Sequence, residues 1–243
     1  LSAYQTYTTV LLCFSVKTMI YKLKAPAKIN LSLDILKKRE DGYHDLVSIM
    51  HTVPLFDELE FTPTDDGCLK ITSNKQGLCP TEKNIVYKAW KAFYDKTTLK
   101  PQGFEVTLIK NIPDAAGLAG GSSDGAATLK FLNEFHNNPL TYEELIHTGA
   151  AVGADIPFLI KGGCSLCEGI GEILTPLPEL KNVDIIIAKP SLSGLSTPEI
   201  FALTDEKEPE KHPDTKRLIE GLKSNNLKEI ISSMFNVMEE ASL

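Results

Sequence analysis

Residues 113–127 read Pro113-Asp114-Ala115-Ala116-Gly117-Leu118-Ala119-Gly120-Gly121-Ser122-Ser123-Asp124-Gly125-Ala126-Ala127. This stretch follows a strand-like run at 103–109 and leads into a helical pattern of apolar residues that starts at 126. A glycine-rich loop before a helix is a ready anion site, because unpaired amides point outward and the helix dipole favours negative charge. The dipole contributes only about 0.3–1 kcal/mol, so a tight phosphate site would also need a fork of amides and a metal.

Two familiar phosphate loops are excluded by the sequence. It contains no Gly-x-x-x-x-Gly-Lys-Ser/Thr, and no Gly-x-Gly-x-x-Gly follows a strand. A tight turn that packs a helix closely on a strand would need the same small residues and would bind no ligand. The glycines at 117, 120 and 121, the two serines after them and a helix start favour a phosphate loop over such a turn.

The composition is ordinary for a soluble globular protein of one large domain or two modest ones. Of the 243 residues 42% are hydrophobic, and the net charge is −7 with 25 scattered basic residues. An extended surface for nucleic acid or an anionic membrane is therefore disfavoured. The five cysteines include Cys164-x-x-Cys167, but no second pair or histidine cluster accompanies it for zinc. We interpret them as buried thiols and expect a cytoplasmic protein.

Residues 1–18 have no assigned role. Their apolar run at 10–14 is far too short to span a membrane, and they lack the charge and cleavage site of a signal peptide. Met19 resembles a natural start, which would make residues 1–18 an upstream extension.

The pattern of apolar residues after Met19 predicts strands in the first half and helices later. Alternation predicts strands, a helical face and a Thr-x-x-Glu capping box predict helices, and glycines mark the turns. The predicted strands lie after Pro26 to 35, at 45–53, 57–61, 68–72, 164–168, 172–177 and 182–188, and the predicted helices at 84–96, 141–151, around 218–222 and through 227–238. Residues 153–159 are predicted to interrupt the helical structure, and a domain change is placed just before 182.

Four polar residues stand out only weakly when each is considered alone. A lysine in an alternating strand, such as Lys28, is usually an edge lysine with its ammonium in water. An aspartate before Ile-Pro, such as Asp155, is usually a cap or turn residue. Tyr43 and His44 follow a turn glycine, where a half-buried ring and a solvated imidazole are the ordinary expectation.

Several motifs together resemble the GHMP kinase superfamily, and within it the family of 4-diphosphocytidyl-2-C-methyl-D-erythritol kinases. They are Ala25-Pro26-Ala27-Lys28-Ile29-Asn30-Leu31, Asp41-Gly42-Tyr43-His44 and residues 113–127, extended by Gly153-Ala154-Asp155-Ile156-Pro157 and Glu168-Gly169-Ile170-Gly171-Glu172. The Lys-Ile-Asn and Asp-Gly-Tyr-His motifs distinguish this family from homoserine, mevalonate and galactose kinases. The resemblance runs from about Met19 to the C-terminus.

The resemblance implies an α+β fold with the site between two domains. Residues 19–180 would form an N-terminal ATP-binding domain of the ribosomal S5 type, and 181–243 part of a ferredoxin-like α/β plait. Related kinases continue into a further glycine-rich segment and closing strands, so we expect a C-terminally truncated chain whose activity stays open. A homodimer is also left open, and neither a nucleic acid nor a membrane is expected as a partner.

The resemblance also implies the chemistry, which is ATP-dependent phosphorylation of the 2-hydroxyl of a cytidine diphosphate-linked methylerythritol in the non-mevalonate isoprenoid pathway. Asp155 would accept the hydroxyl proton and Lys28 would steady the developing charge, because positioning and electrostatics dominate phosphoryl transfer. Mg²⁺ is implied by ATP, without assigned ligands. Another GHMP small-alcohol kinase, or a truncated nucleotide-binding protein without turnover, remains an alternative.

The same resemblance assigns the binding residues. Those expected at ATP are Asn84, beside the adenine, and the loop residues Pro113, Asp114, Ala115, Ala116, Gly117, Leu118, Ala119, Gly120, Gly121, Ser122 and Ser123. Those expected at the substrate are Asn30, Tyr43 stacked on the cytosine, His44 at its edge and Phe201 as a second stacking ring, although Phe201 is equally read as a core residue. The family loop is often richer in glycine than this one. Alanine allows close approach where φ is negative, so we expect ATP binding to be kept.

Overall fold

The computed structural model describes residues 19–75, 77, 81–189 and 210–239. Its strands are β1 (Tyr21–Lys38), β2 (His44–Thr64), β3 (Leu69–Ser73), β4 (Gly103–Ile109), β5 (Cys164–Gly169), β6 (Ile173–Leu177) and β7 (Phe235–Asn236). Its helices are α1 (Ile85–Thr97), α2 (Gly120–Phe135), α3 (Tyr142–Val152), α4 (Ile156–Lys161), α5 (Thr215–Ser224) and α6 (Leu227–Ser233), with a 3-10 turn at Thr81–Lys83. The predicted α+β class is confirmed.

The strands form one sheet in the order β3-β4-β2-β1-β7, with β5 joined to β2 and β6 to β5. The 21-residue β2 is long enough to pair with two different strands on the side away from β1: residues 46–51 pair with β5 and residues 58–64 with β4. The β1–β2 ladder shifts register at three points, two of which flank the segment 27–30. Such irregularities bend a strand and redirect its side chains.

Both faces of the sheet are covered where β1 and β2 cross the molecule. On one face, helices α1 to α4 pack over an aromatic cluster in which Phe61, Phe104 and Phe131 contact one another. On the other face, Leu218, Leu222 and Ile230 of α5 and α6 pack against residues of β1 and β2. Most of β1 from residue 27 to 34 is therefore buried from both sides.

The local sequence signals predicted several elements closely. Helix α1 begins after Asn84, whose side chain accepts a hydrogen bond of 2.9 Å from the amide of Val86. The capping box of Thr141 and Glu144 is formed in full at the start of α3. The predicted pair of strands after Gly163 is the hairpin of β5 and β6.

Two predictions in the second half are wrong. Residues 182–188 form no strand and Ile186 is 92% exposed, because no described strand lies beside this apolar run to pair with it. The last predicted helix ends at Ser233 rather than 238, because Phe235 and Asn236 pair in parallel with β1. The domain division at 180/181 stays a prediction.

Two helix starts were also misplaced. Helix α2 begins at Gly120 rather than 126, so the last residues of the predicted loop form its first turn. Residues 156–161, partly predicted as an interruption, form the short helix α4, whose Pro157 lies in the first turn where no intrahelical hydrogen bond is lost.

Candidate active site

The phosphate loop, defined here as residues 113–119, connects the end of β4 to the start of α2. Ser123 donates its amide to the carbonyl of Ala119, which closes the first helical turn. The amides of Gly120, Gly121 and Ser122 precede that bond, and the first amides of an α-helix have no acceptor within the helix. The loop therefore leads into a set of donors suited to an anion.

Three loop residues adopt a left-handed backbone: Ala115 with φ 47°, Gly117 with φ 69° and Ala119 with φ 54°. The condition of negative φ, under which alanine allows close approach, is not met at Ala115 and Ala119. This conformation costs an L-residue roughly 1 kcal/mol or more relative to glycine, because Cβ crowds the following carbonyl. The backbone preference of these two alanines therefore opposes the conformation of the loop, and other contacts must stabilise it.

The loop and the first turn of α2 are each anchored to β1 at one point. The amide of Lys28 donates to the carbonyl of Leu118 at 3.1 Å, and the hydroxyl of Ser123 donates to the carbonyl of Pro26 at 2.6 Å. The side chain of Leu118 packs in a small apolar cluster with Ala27 and Ile112. These contacts bring the loop beside Lys28.

Lys28 and Asp155 lie close together, although they are far apart in the chain. The Lys28 Nζ atom is 3.1 Å from Asn30 Oδ1 and 3.5 Å from Asp155 Oδ1. Lys28 is only 5% exposed, so the expectation of an edge lysine is wrong: β2 and the phosphate loop cover its strand on either side. Asp155 stands at the N-cap of α4 without a capping hydrogen bond, and its side chain is 32% exposed.

The orientation of Asn30 follows from its neighbours. Its Oδ1 atom accepts from Lys28 Nζ and also from the hydroxyl of Ser48, at 3.4 Å. An ammonium can only donate, so the amide oxygen must face it and the NH₂ group points elsewhere. Ser48 was not selected from the sequence, because nothing in its strand distinguishes it from other alternating residues.

Close packing of α4 sets the position of Asp155. A Cβ added at Gly149 of α3 would lie 2.7 Å from Ile156 Cγ2, and one at Gly125 of α2 would lie 3.1 Å from Ile156 Cδ1. Both glycines therefore allow the first residue of α4 to approach two helices more closely than alanine would. Asp155 directly precedes that residue.

The predicted cytosine residues lie beyond the C-terminal end of β1, where Tyr43 ends the turn and His44 begins β2. Tyr43 is 55% exposed, and its amide donates to Asp41 Oδ1 in the turn between β1 and β2. His44 is buried rather than solvated, and it lies opposite Lys38 in the β1–β2 ladder. The ten residue-to-residue steps from Lys28 to Lys38 span at most about 33 Å of strand. Phe201 lies outside the described residues, so its prediction is not tested.

The cysteines show no sign of redox or metal chemistry in the described part of the chain. Burial raises the pKa of Cys164 and of Cys167 to about 12, and their side chains belong to cores on opposite faces of the sheet. Cys68 is exposed, contrary to the expectation of buried thiols. Within the described ranges, no three His, Cys, Asp or Glu side chains are grouped to hold a metal ion. No helix among these residues is long and apolar enough to cross a membrane.

A buried charge cluster under the loop was missed by the sequence reasoning. Lys110 Nζ contacts Asp57 Oδ2 and lies 2.7 Å from Asp124 Oδ2, and all three side chains are at most 6% exposed. Burial raises the pKa of Asp124 to about 7, and the nearby Asp57 adds to this while Lys110 opposes it. The three residues lie on separate elements, so no spacing in the sequence signals them.

The sequence relatives identify the family. Residues 84–163 match the profile described as GHMP kinases N terminal domain. A 4-diphosphocytidyl-2-C-methyl-D-erythritol kinase of Clostridium kluyveri is 43% identical over 221 residues, which cover 91% of this chain and 78% of that protein. The chain belongs to this family of GHMP kinases. The 4-diphosphocytidyl-2-C-methyl-D-erythritol kinase of Clostridium novyi is 44% identical, over 90% of this chain and 78% of its own length.

Solved structures agree with the GHMP kinase fold. A crystal structure of 4-(cytidine 5'-diphospho)-2C-methyl-D-erythritol kinase superposes with a TM-score of 0.66 at 25% identity, covering 91% of this chain and 76% of that one. Homoserine kinase from Cytophaga hutchinsonii superposes with a TM-score of 0.61 at 19% identity, over 93% of this chain and 74% of that one, a likeness of fold alone. This GHMP kinase is accordingly a small-molecule kinase.

Proposed function

We propose that this protein transfers the γ-phosphoryl group of ATP to the 2-hydroxyl of 4-diphosphocytidyl-2-C-methyl-D-erythritol. Family membership supports the reaction. The observation that carries it is the position of the Asp155 carboxylate, 3.5 Å from the buried Lys28 ammonium. This pair stands beside a loop that is shaped for phosphate.

Asp155 is proposed as the group that accepts the hydroxyl proton. An alcohol is a weak nucleophile, so a positioned base next to a cation helps it to attack. Lys28 steadies the negative charge that develops on the alcohol oxygen and the transferred phosphoryl group, and its burial strengthens that interaction. The NH₂ group of Asn30, turned away from Lys28, is available to hold the substrate.

ATP is proposed to bind with its phosphates on the phosphate loop and the first turn of α2, and with its adenine near Asn84. Mg²⁺ would neutralise charge on the β- and γ-phosphates. On the first turn of α2, the Ser123 hydroxyl is buried and bonded to the backbone of β1, and the Asp124 carboxylate that follows faces Lys110. Ser122 is half-buried on the first turn and is the hydroxyl that fits a metal bound mainly through phosphate and water.

The cytidine end of the substrate is proposed to lie at Tyr43 and His44. The exposed ring of Tyr43 suits stacking on a base, and the hydrogen bond from its amide to Asp41 helps to order the turn that carries it. Lys28 lies near the middle of β1, and this turn follows the C-terminal end of the same strand. An acceptor that contacts both must be elongated, as a diphosphate-linked alcohol is.

The test is a coupled ADP-release assay with ATP and 4-diphosphocytidyl-2-C-methyl-D-erythritol. We expect turnover by the wild-type chain, a loss of at least 100-fold in kcat for Asp155→Asn and a similar loss for Lys28→Met. Asp66→Asn and Lys70→Met are matched controls, because they break an Asp–Lys pair of 2.8 Å outside the site. Full activity of Asp155→Asn would refute the assignment.

Two other outcomes favour the alternatives. Turnover of homoserine or mevalonate, together with insensitivity to Tyr43→Ala, would indicate a kinase for another small alcohol. Calorimetric binding of ATP without turnover would indicate a nucleotide-binding protein. A cytoplasmic location, a homodimer and the division into domains at 180/181 stay predictions, and size-exclusion chromatography with light scattering would test the second of them.

A further inference from the structure

The buried cluster of Asp57, Lys110 and Asp124 touches both ends of the phosphate loop. At the leading end, Asp57 Oδ1 accepts from the amides of Asn111 at 2.6 Å and Ile112 at 2.8 Å, directly before Pro113. At the trailing end, Asp124 belongs to the first turns of α2 and binds Lys110 through its Oδ2 atom. One ammonium therefore joins the two ends of the loop.

The start of α2 rests on this cluster. A Cβ added at Gly120, the first residue of the helix, would lie 3.2 Å from Asp57 Oδ2 and 3.0 Å from Ile112 Cγ2. The Asp57 carboxylate thus lies beneath the positive end of the helix, close to the amides that precede the first helical bond. Any movement of Asp57 would be transmitted directly to those amides.

Burial of the charged cluster costs more free energy than a purely structural role requires. Three ionisable groups are withdrawn from water, and the Asp124 Oδ1 atom is buried without a hydrogen-bond partner among the described residues. Buried ion pairs often add little stability compared with apolar packing of the same volume. They do fix geometry, because each partner allows few arrangements of the others.

We propose that Asp57, Lys110 and Asp124 are positioning residues that hold both ends of the phosphate loop in the geometry that binds the triphosphate of ATP. The proposal rests on the proposed function, in which this loop receives the ATP phosphates. The cluster offsets the left-handed backbone of Ala115 and Ala119, since a loop fixed at both ends cannot relax along its length.

The first test is steady-state kinetics of Lys110→Met and Asp57→Asn, each at a temperature well below its own melting point. We expect KM for ATP to rise at least ten-fold while KM for the cytidine-linked alcohol changes less than two-fold. Asp57→Asn keeps an oxygen for the two amides and the shape of the side chain, so it carries the test if Lys110→Met does not fold.

Asn133→Ala is the matched control. Asn133 is also buried on α2, and its side chain clamps the backbone of Leu140 at the other end of the helix, at 3.0 and 3.1 Å. Asn133→Ala removes two buried hydrogen bonds from α2 and should lower the melting temperature, as the cluster variants do. We expect it to leave KM for ATP within two-fold of the wild type.

Hydrogen–deuterium exchange provides a measurement that does not depend on ATP. In both cluster variants, amides of residues 110–123 should exchange at least ten-fold faster, with unchanged exchange in α3. Unchanged exchange of the loop in a folded variant, or an equal rise in KM for both substrates, would overturn the proposal. If the wild-type protein bound no ATP, the proposed function would fail, and exchange alone would decide whether the cluster holds the loop.

Discussion

At the scale of single residues, the site depends on side chains that are held in unusual surroundings. Lys28 is charged and buried, Asp155 occupies a cap position without capping, and two loop alanines have a positive φ. Each of these costs free energy that the surrounding contacts must offset. Their cost can be measured residue by residue.

The strain at Ala119 predicts that Ala119→Gly stabilises the fold. Removing Cβ relieves the left-handed conformation, whereas the more flexible unfolded chain takes back part of the gain. We expect the free energy of unfolding, from urea titration, to rise by up to about 1 kcal/mol. Ala116→Gly is the control, because Ala116 is not among the described residues with positive φ, and it should be neutral or destabilising.

Asp124 predicts a pH dependence of stability. Its pKa in the folded protein is about 7, above the ordinary value of 3.8, so the folded state binds this proton more tightly than the unfolded state. The contribution of Asp124 therefore favours folding at low pH and is lost as the pH rises from about 4 to 7. Urea titrations at pH 5 and pH 8 should show a smaller decline for Asp124→Asn than for the wild type. An equal decline in both proteins would contradict the prediction.

At the scale of elements, helix packing decides where the catalytic carboxylate stands. Helix α4 has six residues, too few to be stable alone, and its position comes from contacts with α2 and α3. Gly149 and Gly125 provide the space for Ile156. From the sequence alone, this segment is predicted to interrupt the helical structure, because a helix of six residues is too short to show a helical period.

Gly149→Ala should therefore impair catalysis from a distance. The added methyl group would lie 2.7 Å from Ile156 Cγ2, so α4 must shift and carry Asp155 away from Lys28. We expect at least a ten-fold fall in kcat in the coupled assay and a destabilisation of about 1–3 kcal/mol. The control Ala151→Gly weakens α3, the helix that carries Gly149, without adding atoms next to α4. This variant should keep the wild-type kcat. Wild-type kcat in Gly149→Ala would show that α4 tolerates the contact.

At the scale of the whole molecule, one sheet connects the described parts of the chain. Helices α5 and α6 pack on the face opposite to α1–α4, and β7 extends the sheet beside β1. Lys28 belongs to β1, and the cytidine-binding turn proposed above connects β1 to β2. Anything that loosens the packing on either face of β1 should therefore affect the whole sheet.

Leu218→Ala should lower the stability of the entire described fold. Leu218 is fully buried against Leu31 and Ile49, and removing its side chain leaves a cavity. We expect a loss of about 2–5 kcal/mol and a single transition when unfolding is followed by both fluorescence and circular dichroism. Leu227→Ala, at a side chain 46% exposed, should change stability little. Two separate transitions would indicate that α5 and α6 fold independently of the sheet.

The sequence by itself determined the features that depend on neighbours in the chain. The N-cap at Asn84, the capping box at Thr141, the long alternating strands and the motif of the phosphate loop all follow from local hydrogen bonding and side-chain periodicity. The motifs also led to the kinase family. The apolar run at 182–188 has the same local signal as a strand, yet forms none where no described strand pairs with it.

Only the tertiary structure decided which side chains meet. It buried Lys28, brought Asp155 to it, turned the amide of Asn30 and joined Asp57, Lys110 and Asp124 beneath the loop. These contacts link separate strands and helices, and their distances depend on strand register and on the close approach that Gly125 and Gly149 permit. Register and helix packing are set by the summed burial of many side chains, so no short stretch of sequence contains them.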